Sequence, residues 1–475
     1  MGTPSIYPMG TTIYKPEKCF NGYTVFQANE HGATLIDMNG GVVNHWRGLQ
    51  GFPNKLLRGG QIFGSRGERN SKYGLQDQKD LVQVDWDGNV VWEFKKNEFI
   101  KDPGYEGEWM ARQHHDFQRE GNPVGYYVPG MDCKTEGGKT LLLTHHNVTN
   151  PEISMHSLCD DRIIEIDWNG NILWEWRCHE HFHEFDFDDN AKNALARNPN
   201  IESNGQGDWM HINSMSVLGP NKWYEAGDER FHPDNIIIDG RQTNIIAIID
   251  KKNGKLVWKI GPNYTRGKEK EIGQIIGQHH AHMIPKGLPG EGNILLYDNG
   301  GLAGYGAPSS TSPTGLNIEK RDYTRVLEID PVKMEIVWQC RPMDLGYMQP
   351  FWADHFYSCF ISSAQRLPNG NTLITEGSNG RLIEVTKDHE IVWEYISPYF
   401  GEHLTVNMVY RAYRYPYDYV PQVPKPVEVA IAPINNIDYR LKGAKSKEFR
   451  RMVNVEGTEN YEEVSGFCLA IEKDK

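Results

Sequence analysis

The chain has 475 residues and a formal net charge of −13 at pH 7. This acidic balance argues against nucleic acid or an anionic membrane surface as a partner, because both repel a negative protein. The mean hydropathy of −0.62 and the lack of a long apolar run exclude a membrane-spanning helix.

Cysteine content and the first residues favour a reducing compartment. Seven cysteines, an odd number without CxxC spacing, do not suit a disulfide framework. The segment Met1–Pro8 lacks the basic start and apolar core of a signal peptide. We therefore expect a cytoplasmic protein that acts on a small cyclic or phenolic substrate, binds neither nucleic acid nor membrane, and is free to form a homo-oligomer.

One short pattern recurs six times along the chain. Each copy has an alternating apolar strand, a turn rich in Asp, Asn and Gly, and a second strand ending in Trp, which is typical of a β-hairpin. The copies are Thr34–Trp46, Leu81–Trp92, Ile163–Trp174, Ile245–Trp258, Val326–Trp338 and Leu382–Trp393. Hairpins repeated along a whole chain predict an all-β protein, a six-bladed β-propeller with a central channel. The Trp residues are expected to pack between blades.

A second pair of strands precedes most of the hairpins. The segment Ser363–Gly377 gives the clearest case, and similar layouts occur in His114–His145, Asn213–Arg241 and His280–Gly300. Four strands per repeat match a propeller blade. We predict one propeller domain over residues 1–420, with the His-bearing segments as innermost strands that begin at the channel mouth.

Three stretches do not follow the blade pattern. Residues 179–207 are predicted to be a small insertion with a short helix over Asp189–Arg197. Residues 301–322, rich in Gly, Ser and Pro, indicate a loop over one face. Residues 421–475 are predicted to form a C-terminal appendage packed on the propeller, in which a short strand could close the ring.

Histidines cluster where the innermost strands are predicted to begin. Because a propeller brings equivalent positions round one axis, these clusters are expected to converge. Alternation along a strand places His280 and His282 on one face. It likewise places His114 and Asp116 together, with His115 opposite. The clusters are Gln113–Asp116, Thr144–Asn147, Trp209–Asn213 and Gln278–His282.

Several neutral imidazoles and a carboxylate round one cavity form a ligand set for Zn, Mn, Fe or Co. We predict one or two divalent ions per chain, Mn²⁺ or Zn²⁺. Hydrogen bonding of some of these histidines to backbone between blades is the alternative. The run His179–His183 resembles a metal site too, but its place in the acidic insertion favours a polar surface loop. The predicted ligands are His114, His115, His145, His211, His279, His280 and His282.

Arg241 is a candidate anion-binding residue because it follows an apolar strand and a Gly. A guanidinium facing the channel would hold an oxyanion or enolate with two hydrogen bonds. A salt bridge between blades is the alternative. A weaker candidate for the same task is the cluster Tyr410, Arg411, Tyr413 and Arg414.

With these motifs, the chain resembles the arylsulfotransferase superfamily over about residues 14–413. The resemblance implies a propeller with its site at the channel, where His279 takes a sulfuryl group from one phenol and passes it to another. It also implies that His211, Asn213 and Arg241 hold the sulfuryl oxygens. The matching pieces are Asp208–Ser214, Gly240–Arg241, Gln278–His279, Tyr297–Gly300 and Arg366–Asn371.

The chain departs from the exported sulfotransferases in having no visible leader and many more imidazoles. One nucleophile with oxyanion-binding partners does not need so many imidazoles, whereas a metal centre does. The chain is also similar to a cytoplasmic branch of the superfamily associated with hydrolytic ring opening of dihydrophloroglucinol in anaerobic polyphenol breakdown.

Three functions follow from these observations. The first is a metal-dependent hydrolase that opens a small cyclic 1,3-diketone, with Arg241 on the enolate and a His or Asp116 moving the proton. The second is an aryl sulfotransferase that forms a sulfohistidine at His279 and needs no metal. The third is a non-catalytic propeller that serves as a binding platform.

Overall fold

The computed structural model describes residues 9–68, 74–101, 104, 106–202, 205–348, 351–403 and 405–433. Within these residues, six antiparallel sheets form the blades of a β-propeller, as the repeated hairpins predicted. The described helices are each too short or too polar to span a lipid bilayer.

The first fourteen strands lie within residues 10–177. They are β1 (Gly10–Tyr14), β2 (Tyr23–Gln27), β3 (Ala33–Ile36), β4 (Val42–Trp46), β5 (Lys55–Leu57), β6 (Gln61–Gly64), β7 (Leu81–Val84), β8 (Val90–Phe94), β9 (Glu98–Ile100), β10 (Glu108–Met110), β11 (Gln113–Arg119), β12 (Thr140–Val148), β13 (Leu158–Ile166) and β14 (Ile172–Arg177).

The remaining strands run from residue 212 to residue 415. They are β15 (Ile212–Val217), β16 (Ile236–Gly240), β17 (Ile245–Ile249), β18 (Leu256–Ile260), β19 (His279–Met283), β20 (Ile294–Asp298), β21 (Ala303–Tyr305), β22 (Leu316–Glu319), β23 (Arg325–Asp330), β24 (Glu335–Cys340), β25 (Ser363–Arg366), β26 (Thr372–Glu376), β27 (Arg381–Val385), β28 (Ile391–Ile396) and β29 (Ala412–Tyr415).

Helical segments connect some of these strands. The α-helices are α1 (Asp189–Arg197), α2 (Lys222–Glu225) and α3 (Gly267–Ile272). The 3₁₀ segments are Asn29–His31, Cys178–Phe185, Glu229–Phe231, Pro342–Leu345, Ala353–Phe356, Gly377–Asn379 and Tyr417–Tyr419.

Each blade orders its strands from the channel outward. The blades are β29-β2-β3-β4, β5-β6-β7-β8, β11-β12-β13-β14, β15-β16-β17-β18, β19-β20-β23-β24 and β25-β26-β27-β28-β1. First strands of neighbouring blades touch, β11 with β15 and β15 with β19, so these strands surround the axis. This order confirms that three of the four histidine clusters lie at the start of innermost strands, namely β11, β15 and β19. For the cluster Thr144–Asn147 the prediction is wrong, because it lies at the end of β12, the second strand, where antiparallel pairing places it beside the start of β11.

Strands from the two ends of the described chain close the ring. β29 pairs with β2 and completes the first blade, while β1 pairs with β28 and widens the last. The closing strand therefore lies within the predicted propeller and not in the tail. Ile431 forms a single bridge with Tyr14. Residues 434–475 of the predicted appendage lie outside the described residues, and its packing stays a prediction.

All six predicted hairpins are confirmed as the third and fourth strands of their blades. Their turns form locally because an Asp side chain binds the backbone that follows it. In the second blade, Asp85 Oδ1 accepts hydrogen bonds from the N–H groups of Asp87 and Asn89, at 3.0 and 2.8 Å. These turns fix the pairing of the two outer strands.

The Trp residues connect the hairpins in a closed ring. Each indole N–H donates to a backbone carbonyl in the hairpin turn of the next blade, at 2.8 to 3.0 Å. The expected packing between blades is therefore confirmed. The pairs are Trp46 with Asp85, Trp92 with Trp168, Trp174 with Lys251, Trp258 with Pro331, Trp338 with Lys387 and Trp393 with Met38.

The insertion and the Gly-rich stretch differ in how well they were predicted. Helix α1 matches the predicted helix, and Asp188 caps it by accepting from the N–H of Ala191 at 2.8 Å. The stretch 301–322 is more than a loop, because β21 and β22 pair within it, from Ala303 with Glu319 to Tyr305 with Leu316. The stretch is rich in Gly, Ser and Pro, which are typical of loops, so its sequence did not indicate these two short strands.

We predict that Trp393→Phe lowers the free energy of unfolding by about 1–3 kcal/mol, because it removes the indole donor and leaves a gap at a buried site. Trp393 is fully buried and binds Met38 where the ring closes. Urea unfolding measures the change. The control Trp109→Phe, at a half-exposed residue, should change stability by less than about 0.5 kcal/mol. Equal effects of the two substitutions would contradict a role for the ring.

Candidate active site in the channel

Three innermost strands have a residue with left-handed backbone angles at or just before their first few residues. The angle φ is 55° at His115, 53° at His211 and 57° at His280. Strands β11, β15 and β19 shift their pairing register at the same points. A bulge of this kind turns side chains away from strict alternation.

The bulge in β11 overturns one prediction from alternation. His114 Nε2 lies 3.4 Å from Asp161 Oδ1 in its own blade. Asp116 instead accepts a hydrogen bond from Lys55 Nζ of the neighbouring blade, at 2.7 Å. The prediction that His114 and Asp116 share a face is wrong, because the left-handed His115 stands between them.

A cavity of 380 Å³ lies at the beginnings of the innermost strands, within the range of about 300–1,000 Å³ common for ligand sites. All six blades contribute to it, so it lies on the propeller axis. Arg241, in the turn after β16, adds a cation to its wall. In blade order, lining residues include Tyr410, Phe52, His115, His211, His279 and Ile361.

His279 presents an unprotonated nitrogen to this cavity. Asn299 donates its amide N–H groups to two backbone carbonyls at 2.8 and 2.9 Å, so its Oδ1 faces His279 Nδ1 at 2.8 Å. The carbonyl of Gly277 is a second acceptor at 3.1 Å, and Nδ1 therefore carries the proton. Nε2 keeps its lone pair, 3.2 Å from the N–H of Ile361. Burial, followed by the charge of Arg241, lowers the pKa of His279 well below its usual value.

His211 and His115 lie side by side in the wall, with ring centroids 4.7 Å apart. His211 Nδ1 is 2.5 Å from Asp208 Oδ2, which fixes the ring and leaves Nε2 available to a ligand. His115 Nδ1 is 2.8 Å from His114 Nδ1, a contact that requires one shared proton. Burial, followed by His211, lowers the pKa of His115 well below its usual value.

Four buried donor atoms lie directly behind His211 and His115. They are Nε2 of His114 and His145 and Oδ1 of Asp161 and Asp208, and none has a hydrogen-bond partner among the described residues. From Asp161 Oδ1, the distances are 3.4 Å to His114 Nε2 and 3.8 Å to His145 Nε2. Asp208 Oδ1 is 3.9 Å from His145 Nε2. We call these four residues the donor cluster.

The donor cluster fits a divalent metal ion. Two ligands about 2.1 Å from one ion at a tetrahedral angle are about 3.4 Å apart. Imidazole and carboxylate donors suit Zn, Mn, Fe or Co. Burial, followed by the charge of Asp208, raises the pKa of Asp161 well above its usual value, and a cation would remove this repulsion.

His145 is held from behind by a further carboxylate. Its Nδ1–H donates to Asp77 Oδ1 at 2.6 Å, while Arg112 Nε donates to Asp77 Oδ2 at 2.7 Å. Burial would raise the pKa of Asp77, but Arg112 and His145 outweigh burial and hold it below its usual value. Such a carboxylate commonly orients an imidazole that binds a metal.

Asp116 lies away from the cavity wall, in a buried ion pair. Lys55 Nζ and Arg411 donate to its two oxygens, at 2.7 and 2.8 Å. Burial would raise the pKa of Asp116, but these two cations outweigh burial and lower it. A carboxylate paired with two cations in this way stabilises the packing of the innermost strands. Its predicted role in proton transfer stays a prediction.

Three other predicted site residues also lie off the described wall of the cavity. His280 and His282 share a face, as alternation predicted, with ring centroids 4.5 Å apart. His282 Nε2 is 2.9 Å from the hydroxyl of Tyr126. Asn213 donates to the carbonyl of Gln278 at 2.7 Å, which links two blades. Their roles as ligands or in oxyanion binding stay predictions.

The sequence reasoning missed the carboxylates Asp77, Asp161 and Asp208. A signal was present for Asp161, because it lies directly opposite His145 in the pairing of β13 with β12. Asp208 stands inside the motif used for the family resemblance. Asp77 comes from another blade, and no local pattern marks it.

Comparison with known proteins identifies the family. The model of the arylsulfotransferase (ASST) family matches residues 132–411, more than half of the 475 residues. The chain belongs to this family. No curated protein matches the sequence significantly. The family match supports the sulfotransferase alternative and leaves the cyclohydrolase-like branch untested.

Solved structures with the same general architecture are distant. A protein of unknown function from Bacteroides caccae has a TM-score of 0.43 and 12% identity, over 82% of this chain and 98% of that one. A streptogramin B lyase has a TM-score of 0.35 and 12% identity, over 86% and 93%. Virginiamycin B lyase from Staphylococcus aureus has a TM-score of 0.34 and 10% identity, over 82% and 88%.

We predict that Asp77→Asn weakens divalent-metal binding by about 10–100-fold, because the negative charge behind His145 is lost. Competition with a fluorescent chelator for Zn²⁺ and Mn²⁺ measures the affinity. Asp228→Asn is the matched control, since Asp228 is partly exposed and pairs only locally with Arg230 among its described contacts. Unchanged affinity in Asp77→Asn would contradict the assignment of the donor cluster.

Proposed function

We propose that the protein is a metal-dependent hydrolase that opens a small cyclic 1,3-diketone in the channel cavity. The donor cluster carries this proposal, because ligand atoms of His114, His145 and Asp161 lie within 4.8 Å of one another behind the cavity wall. Asp208 Oδ1 adds a carboxylate oxygen 3.9 Å from His145 Nε2.

Asp161 Oδ2 accepts from the N–H of Ile212 and Asp208 Oδ2 pairs with His211, so only the two Oδ1 atoms lack partners among the described residues. Burial of these two oxygens is costly, and a bound cation would offset that cost.

His114, His145 and Asp161 would hold the ion, with Asp208 beside them, and three protein ligands leave a position open. When bound, a divalent ion supplies Lewis acidity, which makes water a stronger acid and a carbonyl a better electrophile. Asp208 connects this cluster to the cavity, since its Oδ1 belongs to the cluster and its Oδ2 is bound to His211.

His211 is proposed as the general base. Its Nδ1 is held by Asp208, so its Nε2 can take a proton from water in the cavity. The half-buried side chain of Arg241 lines the same cavity and would stabilise the enolate oxygen that develops. His279 and His115, both neutral, complete a wall that orients the substrate.

The reaction balances without any redox partner. Water adds through oxygen to one ring carbonyl, and the bond from that carbon to the CH₂ between the two carbonyls breaks. The electron pair of that bond forms the enolate, and the proton taken by His211 returns to this carbon. The product is an open chain with one carboxylic acid and one methyl ketone.

Sulfuryl transfer is the second candidate, and the family match favours it. His279 lines the cavity with Nδ1 held by Asn299, which leaves Nε2 as the nucleophile that becomes sulfated. Nε2 accepts from the N–H of Ile361 at 3.2 Å, and this hydrogen bond must open before the attack. Arg241 would then hold sulfuryl oxygens. This reaction needs no metal and does not explain the donor cluster.

Metal dependence separates the two candidates. We predict at least one equivalent of Mn, Zn or Fe in protein purified without chelator, measured by elemental analysis. Removal of the metal should abolish hydrolysis of dihydrophloroglucinol or cyclohexane-1,3-dione, and added Mn²⁺ or Zn²⁺ should restore it. His114→Ala should lose the metal of the donor cluster and the activity, whereas His403→Ala, at a highly exposed residue, should keep both.

A sulfohistidine at His279 would contradict the hydrolase. Mass spectrometry after incubation with an aryl sulfate detects it. Metal-independent transfer between phenols, abolished by His279→Ala, would establish the second candidate in its place.

We also predict that His211→Gln lowers kcat of the hydrolysis by about 10²–10⁴-fold, since it removes the general base. Elemental analysis should find its metal content unchanged. Parallel loss of metal and activity would make His211 a ligand, which is the role that the sequence predicted for it.

A further inference from the structure

Strands β12 and β13 carry two His–Asp pairs on opposite faces of the same blade. His145 lies opposite Asp161, and the next residues, His146 and Asp160, lie opposite each other. Successive residues of a strand point to opposite faces. The first pair belongs to the donor cluster, so the second pair faces away from it.

The insertion adds a third candidate ligand to the second pair. His179, in the segment Cys178–Phe185, hydrogen-bonds through Nδ1 to Asp160 Oδ2 at 2.8 Å, and its backbone N–H donates to the same oxygen at 3.2 Å. His146 Nε2 is 3.5 Å from the same oxygen. One donor atom of each of the three residues lies within 4.8 Å of the others. Asp160 is fully buried, and Trp209 Nε1 donates to its other oxygen at 2.8 Å, which fixes the carboxylate.

The imidazole of His146 has no hydrogen-bond partner among the described residues. Both of its ring nitrogens are buried and lack a hydrogen-bond partner in the part of the chain that the structure describes. A histidine that served only to support the fold would bind backbone or a side chain. The neighbouring cations Arg162 and Arg177 both pair with Glu175, at 2.9 and 3.0 Å, and are thus largely neutralised.

We infer that His146, Asp160 and His179 form a second divalent-metal site, which holds a Zn²⁺-like ion and fastens the insertion to the third blade. Two imidazoles and one carboxylate are borderline donors that favour Zn or a similar first-row ion. The slight exposure of His146 and His179 gives the ion a path from solvent. This inference does not rest on the proposed hydrolase, because the site lies on the other face of the sheet and uses none of the donor cluster.

The site gives His179 a function different from the one the sequence predicted. The run His179–His183 was expected to be a polar surface loop. His181 and His183 match that expectation, since they pair with Glu184 and Glu152 near the surface. Of these three histidines, only His179 contacts the third blade through Asp160.

Metal stoichiometry tests the inference. The full chain is stripped with chelator, reloaded with Zn²⁺ and dialysed, and bound zinc is counted by elemental analysis. We expect two equivalents in the wild type and in His183→Ala, but one in His179→Ala and in His146→Gln. His114→Ala, which alters the donor cluster, should keep the second site and also bind one equivalent. Circular dichroism checks that each variant is folded.

A second measurement separates the two sites. Trypsin cleavage within residues 178–197 should slow at least tenfold when Zn²⁺ is added to wild type or to His114→Ala, and should not change in His179→Ala. Zinc content and cleavage in His179→Ala and His146→Gln equal to the wild type would overturn the inference. So would a single wild-type equivalent that His114→Ala loses and His179→Ala retains. A single wild-type equivalent that His179→Ala loses and His114→Ala retains would instead count against the proposed hydrolase.

Discussion

The ring of indole–carbonyl hydrogen bonds sets the position of every functional side chain. Each Trp binds the turn of the next blade, and the last pair, Trp393 with Met38, returns to the first blade. A single such bond contributes about 1 kcal/mol, but a closed ring fixes the rotation of all six blades together. Because the innermost strands begin at matched positions, this rotation brings distant histidines to one axis. The cavity is thus a property of the closed ring and of no single blade.

The charges in the channel are arranged in layers. Neutral imidazoles and Arg241 line the open cavity, and the carboxylates Asp161 and Asp208 lie behind them. Asp116 is farther along the channel and is balanced by Lys55 and Arg411. The second and third of these layers both contain buried carboxylates. Lys55 and Arg411 pair with Asp116 in the third layer, whereas no described lysine or arginine pairs with Asp161 or Asp208 in the second. This difference is the physical reason to assign a metal ion to the donor cluster.

The fold could be predicted almost completely from the sequence, because its signals are local. Alternating strands, Asp-rich turns and the terminal Trp of each hairpin lie within about a dozen residues of one another. The closing strand β29 carries no such repeat, and β21 with β22 is too short to stand out. Most histidines of the site were predicted for the same reason as the fold, since three clusters recur at one repeat position. His145 is the exception, because it reaches the site from the end of β12. The carboxylates were not predicted, because Asp77 and Asp208 approach His145 across blades. The bulge at His115 also broke the alternation on which face assignments depend.

The closure of the ring has a consequence for synthesis of the chain on the ribosome. The innermost strand of the first blade, β29, is made after all the other strands of the propeller. Until it emerges, β2 remains an open strand edge, which is prone to pair with other chains. Tyr410, just ahead of β29, completes the wall of the cavity. A nascent chain therefore has neither a closed propeller nor a finished cavity until its last propeller strand leaves the ribosome.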